Sequence, residues 1–159
     1  MLEASAVLGS PNDAATLRVA KKMVDHALAY GWDAARGGFY DGGYYLPGDN
    51  RPTIVRDTKE WWSQAEALNS LLMMSELFPG DDHQYYEKFC LQWEYCKKYV
   101  IDAERGGWYW GGADILPANR QSAKGSVWKC NYHTSRALIN CIKRITHDAV
   151  PAAPAMRED

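Results

Sequence analysis

An eleven-residue segment occurs twice in this chain, and that recurrence constrains the fold more than any other feature. "DAARGGFYDGG" begins at Asp33 and "DAERGGWYWGG" at Asp102; eight of the eleven positions are identical and the offset is 69 residues. Leu46-Pro47 and Asn50-Arg51 follow the first copy, Leu116-Pro117 and Asn119-Arg120 the second. Self-similarity at such a period marks a repeat architecture, in which each unit buries its apolar face against the next. The paired glycines favour turn conformations. The aromatics Phe39, Tyr40, Tyr44 and Tyr45 suit a short β-hairpin or an extended loop.

Each copy lies between helical patterns. Apolar residues recur at the three-and-four spacing of an amphipathic helix in four stripes: Leu17, Ala20, Val24, Leu28; Trp61, Ala65, Leu68, Leu72; Tyr85, Phe89, Trp93, Cys96, Val100; and Leu138, Ile142, Ile145. The helices are expected to end near Tyr30, Phe78, Val100 and Ile145. "PGDD" at Pro79–Asp82 separates the second from the third, with Asp81 or Asp82 as its cap. Leu2 to Leu8 reads as the end of an earlier helix. Residues 1–147 form one domain on this reading, and residues 148–159, without periodicity, form a frayed tail.

The fold class is therefore all-α: helix, glycine-aromatic loop, helix, tight turn, repeated. Such arrays usually need about three units for stability, and the chain carries roughly two. An end helix should expose an apolar face unless something covers it, which predicts a homodimer or completion by another chain.

Charge narrows the function. The net charge is −2, with no run of Lys or Arg, so neither a nucleic acid nor an anionic membrane is an expected partner. No apolar stretch approaches the roughly 20 residues that span a bilayer. The start "MLEASAVLGSPND" lacks the basic and apolar regions of a signal peptide. Cys90, Cys96, Cys130 and Cys141 form no C-x-x-C pair, which argues against zinc, and a reduced cytoplasmic chain is expected. His26, His83 and His147 lack a metal-ligand neighbour at helical spacing and read as surface residues. The glycine pairs do not sit in G-x-G-x-x-G, and no G-K-[ST] follows, so phosphate loops are excluded. No cofactor and no metal are expected.

Two clusters carry residues fit for chemistry. In "KEWWSQAEA", Trp62 and Glu66 are four apart on one helix face, with Trp61 and Ala65 on the adjacent, more apolar face. This is either a core tryptophan beside a surface glutamate or an aromatic platform for a sugar ring, with Gln64 or Glu66 bonding its hydroxyls. In "VWKCNYH", Asn131 is placed to cap the last helix and His133 to lie in its first turn. A histidine there is commonly a capping or surface residue. The alternative is a general base, kept neutral by the helix dipole and by Lys129 and Arg136.

Together, "KEWWSQAEA", "GGWYW" and "VWKCNYHTSRA" resemble the N-acylglucosamine 2-epimerase family, which includes cellobiose 2-epimerases and mannose-type aldose–ketose isomerases. The resemblance runs from about Leu2 to Ile145, and Asn131 replaces the family's usual proline before the tyrosine. It implies a partial (α/α)6 barrel with the glycine-aromatic loops on one rim and a mono- or disaccharide as substrate. It further implies that His133 is one of two catalytic histidines, and that Trp128 and one of Trp61 and Trp62 line the sugar site. The family's second histidine, with a nearby glutamate, lies upstream of the segment matching "MLEAS", so this chain alone is expected to be catalytically incomplete. The alternative is a non-catalytic helical-repeat remnant that binds sugar or another protein.

Overall fold

The computed structural model describes residues 1–10 and 13–149. Its order is α1 (Leu2–Val7), α2 (Ala14–Tyr30), β1 (Gly42–Tyr44), β2 (Thr53–Arg56), α3 (Trp61–Leu77), α4 (Tyr85–Tyr95), a π-helical turn (Cys96–Val100), a 3₁₀ turn (Pro117–Gln121) and α5 (Tyr132–Ala149). The four main helices end within a few residues of the expected positions. The expected tail, residues 148–159, lies almost entirely outside the described residues. No described helix is long and apolar enough to cross a membrane.

Helix α3 is the centre of the fold. It packs against both α4 and α5, and Trp61, Ala65, Leu68, Leu71, Leu72, Met73 and Met74 are buried. A helix apolar on more than one side is stable only when neighbours cover it, and each large side chain so buried contributes about 1.5–3 kcal/mol. One core cluster joins α3 to Tyr95, Cys96, Val100, Trp108, Ala137 and Cys141; a second joins Leu71 and Met74 to Phe39 and Tyr85. The expected stripe on α5 holds at Leu138, which packs partly buried against the core beside Ala137 and Cys141, and is corrected at Ile142 and Ile145, which point outward with Ile139. Small residues permit close approach, and Ala65 and Ala137 are both fully buried in the core between α3 and α5. The expected cap of α4 is also corrected. Gln84, at φ +52°, occupies the cap position, while Asp81 instead accepts from the backbone N–H and ring Nδ1 of His83.

The two glycine-aromatic copies form the same turn. Asp33 N–H donates to Gly38 O and Gly37 N–H to Asp33 O, at 3.0 and 2.8 Å; Asp102 and Gly107, Gly106 and Asp102 repeat these bonds at 3.0 and 2.9 Å. Each aspartate Oδ1 also accepts from two following backbone N–H groups. The glycine pairs sit at φ of +80° and +82° in one copy and +72° and +77° in the other, where a side chain is strained. Beyond the turns the copies diverge: the first continues into the antiparallel hairpin β1–β2, with Tyr44 opposite Thr53, and the second into the 3₁₀ turn.

The first turn is pinned from the neighbouring unit. Lys59 Nζ donates to Asp33 Oδ2, Gly37 O and Asp114 Oδ2, at 2.8, 2.8 and 2.9 Å, and its side chain is wholly buried. Tyr95 donates its hydroxyl to Asp114 Oδ1. Burial, reinforced by Asp114, pushes the Tyr95 phenol far above its ordinary value, so it remains a donor. Burial alone would raise the Asp33 carboxyl; the bonds from Lys59 and Ala35 outweigh it and hold the group at about 2.

Candidate active site

Helix α5 begins at Tyr132, so His133 lies in its first turn, and the Asn131 carbonyl accepts from Ser135 N–H. The imidazole Nδ1 is 2.6 Å from Glu66 Oε1. An ionised carboxylate can only accept, so Nδ1 carries the hydrogen and Nε2 is the free nitrogen of the neutral ring. Arg136 Nη2 also bonds Glu66 Oε1. Glu66 in turn raises the Arg136 guanidinium above its ordinary value through that bond.

The local spacing explains the grouping. Trp62 and Glu66 are four apart on α3, His133 and Arg136 three apart on α5, so each pair shares one helix face, and the two faces meet where α3 packs on α5. The Trp62 ring lies 5.8 Å from the imidazole, centroid to centroid, and the Tyr132 ring 3.8 Å from it. His133 is thus held by a carboxylate and flanked by aromatic faces. Of the two cations expected near the ring, Arg136 is there, sharing Glu66 Oε1 with His133, whereas Lys129 turns inward to Trp108 O.

Trp62 and Glu66 also border a cavity of about 530 Å³ between α2, the first glycine-aromatic loop, the β-hairpin and α3. Tyr40, Asp41, Tyr45 and Ile54 line it as well. Asp41 is fixed by Thr58 Oγ1 and Glu60 N–H at 2.5 and 2.8 Å, and Tyr45 OH lies 2.7 Å from His26 Nε2. Trp62 Nε1 donates to Glu60 Oε2 at 3.0 Å. Among these cavity residues the sequence singles out Trp62 and Glu66 as candidate sugar contacts and Tyr40 and Tyr45 only as part of the aromatic clustering of the first loop.

Other expected site residues lie elsewhere. Trp61 is buried against Trp110, ring centroids 4.8 Å apart. Gln64 is fully buried; it accepts from Phe39 N–H at 2.9 Å, donates to Phe39 O at 2.8 Å and accepts again from Gln92. Of the alternatives offered by the sequence, Trp61 and Gln64 both face the core, where Gln64 anchors the first turn, while Trp62 and Glu66 face the cavity. Trp128 is 81% exposed on the loop before α5, its backbone N–H bonded to Ser126 Oγ. The structure brings together Trp62, Glu66, His133 and Arg136, and no ring contact or side-chain bond joins Trp128 to them among the described residues. The four cysteines are free.

The family described as N-acylglucosamine 2-epimerase (GlcNAc 2-epimerase) matches residues 1–137. A cellobiose 2-epimerase of Bacteroides fragilis is 26% identical over 140 residues, covering 88% of this chain and 34% of that protein. The solved structure of the cellobiose 2-epimerase from Bacillus thermoamylovorans aligns with a TM-score of 0.67 and 27% identity, over 89% of this chain and 34% of that one. A D-mannose isomerase structure aligns with a TM-score of 0.60 and 28% identity, over 75% and 28% respectively. The chain thus spans about a third of the length of these relatives.

Proposed function

Because the chain belongs to the N-acylglucosamine 2-epimerase family, we propose that it is a carbohydrate 2-epimerase or aldose–ketose isomerase segment in which His133 removes the proton at C2 of a sugar. One observation carries this reading: Glu66 holds Nδ1 of His133, so the basic nitrogen Nε2 is free beside the Trp62 ring. The architecture it belongs to is part of an (α/α)6 barrel, a reading supported by the repeated turn and by the alignment with a cellobiose 2-epimerase structure.

In the open-chain aldose, C2–H is acidified by the C1 carbonyl. Nε2 takes the proton, the C–H electron pair becomes the C1–C2 double bond, and the carbonyl oxygen becomes the enediolate oxygen. The resulting imidazolium is stabilised by Glu66, whose position Arg136 fixes. Return of a proton to the opposite face of C2 gives the epimer and needs a second donor or a rotated enediolate. Return to C1, with proton transfer from the C2 hydroxyl, gives the ketose and needs one base. Trp62 offers its ring to the C–H face of the sugar, and Trp128 is proposed to cover the sugar from the entry loop, where its exposure leaves its ring free.

The outward face of α5, with Ile139, Ile142 and Ile145 half-exposed or more, supports a homodimer or completion by another chain. The unpaired cysteines support a reducing, cytoplasmic setting. The same exposed face, with Trp128, favours the second reading, a non-catalytic sugar-binding or interaction module. The test is incubation with glucose, mannose, N-acetylglucosamine and cellobiose in D₂O: deuterium at C2 that disappears in His133→Ala supports catalysis, and sugar binding without exchange supports the module.

A further inference from the structure

We infer that the entry to α5, Lys129–Asn131 together with Lys124, is a docking surface for a further glycine-aromatic loop that carries a carboxylate, of the kind this chain presents at Trp110–Asp114. The repeat carries this inference independently of the chemistry of His133.

At the entry to α3 the docked arrangement is visible. Trp61 N–H donates to Trp110 O at 3.0 Å and Gly112 N–H to Lys59 O at 2.9 Å, with Glu60 bridged to Gly111. The approach is close enough that a Cβ on Gly111 would fall 3.1 Å from the Lys59 carbonyl oxygen. The loop then delivers Asp114 to Lys59. Two features therefore define the contact: backbone pairing across a helix entry, and a carboxylate from the incoming loop that completes a lysine already bonded to its own turn.

At the entry to α5 the receiving half is present. Lys124 Nζ bonds Asp102 Oδ2 and Gly106 O at 2.5 and 2.7 Å, as Lys59 bonds Asp33 Oδ2 and Gly37 O. Its side chain is 31% exposed, against 0% for Lys59, and no second carboxylate reaches it among the described residues. Lys129 is 6% exposed, and its ammonium meets the Trp108 carbonyl and the face of Trp61, again with no carboxylate. The backbone N–H groups of Cys130 and Asn131 have no partner among the described residues, whereas Trp61 N–H is paired. A cavity of about 340 Å³, lined by both lysines, opens between the second turn and the start of α5. Two ammonium groups with one carboxylate between them leave a positive cleft beside the two unpaired N–H groups, while Lys129 O, the counterpart of Lys59 O, accepts from Ser126 N–H at 3.2 Å and would have to exchange that partner. A Gly-Gly loop with a carboxylate two residues on fits both.

The probe is a soluble peptide of Trp108–Leu116, WYWGGADIL, with its Asp114→Asn counterpart, titrated into the ¹⁵N-labelled chain. The expected result is saturable movement of the Lys129–Asn131 amide resonances. The Asn peptide should bind at least fivefold more weakly, and so should the parent peptide to Lys124→Met, whose fold is checked by amide dispersion away from the second turn. Absence of movement at millimolar peptide, or equal affinity of the two peptides, overturns the proposal. So does movement centred on Lys59–Trp61, which would mean exchange with the chain's own loop, or the same movement produced by acetate or phosphate, which would mean a simple anion site.

Discussion

The turns at Asp33 and Asp102 share their internal bonds and differ in what lies over them. The first is roofed by the next unit: a Cβ on Gly38 would stand 2.7 Å from the Tyr95 ring, and Lys59 is enclosed between two carboxylates. The second is open: a Cβ on Gly107 would meet only Lys124 Cδ at 3.6 Å, and Lys124 is partly in water. Eleven similar residues therefore specify a conformation, while the neighbour determines how much stability that conformation contributes.

The largest expected effect comes from breaking the roofed turn. Lys59→Met strands Asp33 and Asp114 in the interior, and losing one side of a buried ion pair costs about 3–5 kcal/mol. Lys124→Met strands one buried carboxylate, Asp102, where Lys59→Met strands two, and removes a lysine that is 31% exposed, so its loss should be smaller. Urea denaturation of the two variants measures the difference directly, and equal losses would erase the distinction between the turns.

The glycines sharpen the same contrast at smaller scale. Gly38→Ala and Gly107→Ala both place a side chain at positive φ, which costs about 1–2 kcal/mol. Only the former also presses on Tyr95, which adds about 1–3 kcal/mol of overpacking. Gly38→Ala should therefore have the lower melting temperature.

A third contrast is in pH. Burial, with Lys124 adding, pushes the Lys129 ammonium down to about 8 from 10.5. Between those values the folded chain has released a proton that the unfolded chain retains, so this group favours folding increasingly as pH rises. The stability of the wild type relative to Lys129→Met should thus grow from pH 8 to about 10.5, and a flat difference would remove the case for an uncompensated ammonium. The smallest effect is expected for Trp128→Ala: its exposed ring contributes within about 0.5 kcal/mol to stability, so any loss of sugar binding in that variant is not a folding defect.

The repeat and the helices were legible because period and turn chemistry are local properties. The orientation of side chains on those helices was less so. On α5 the apolar isoleucines marked a stripe, yet the buried face is built from Ala137 and Cys141, since contact distance with α3 selects size over hydrophobicity. Gln64 reads as a polar sugar contact until Phe39 and Gln92 are seen to occupy its amide. Asp81 reads as a cap until His83 takes its carboxylate. Trp62, Glu66 and His133 were all visible as candidates, but the bond between Glu66 and His133 joins residues 67 apart, beyond any periodicity. It adds a carboxylate, shared with Arg136, to the ring's expected surroundings.

The most direct test of that pairing's role is deuterium incorporation at C2 of an aldose, followed by proton NMR in D₂O with wild type, His133→Ala and Glu66→Gln. Exchange by the wild type above the buffer blank is expected, and loss of a positioned acid–base group typically costs about 10²–10⁴-fold in rate. Exchange should vanish in His133→Ala and fall in Glu66→Gln. Wild-type exchange no faster than the buffer blank, or exchange undiminished in His133→Ala, would contradict it.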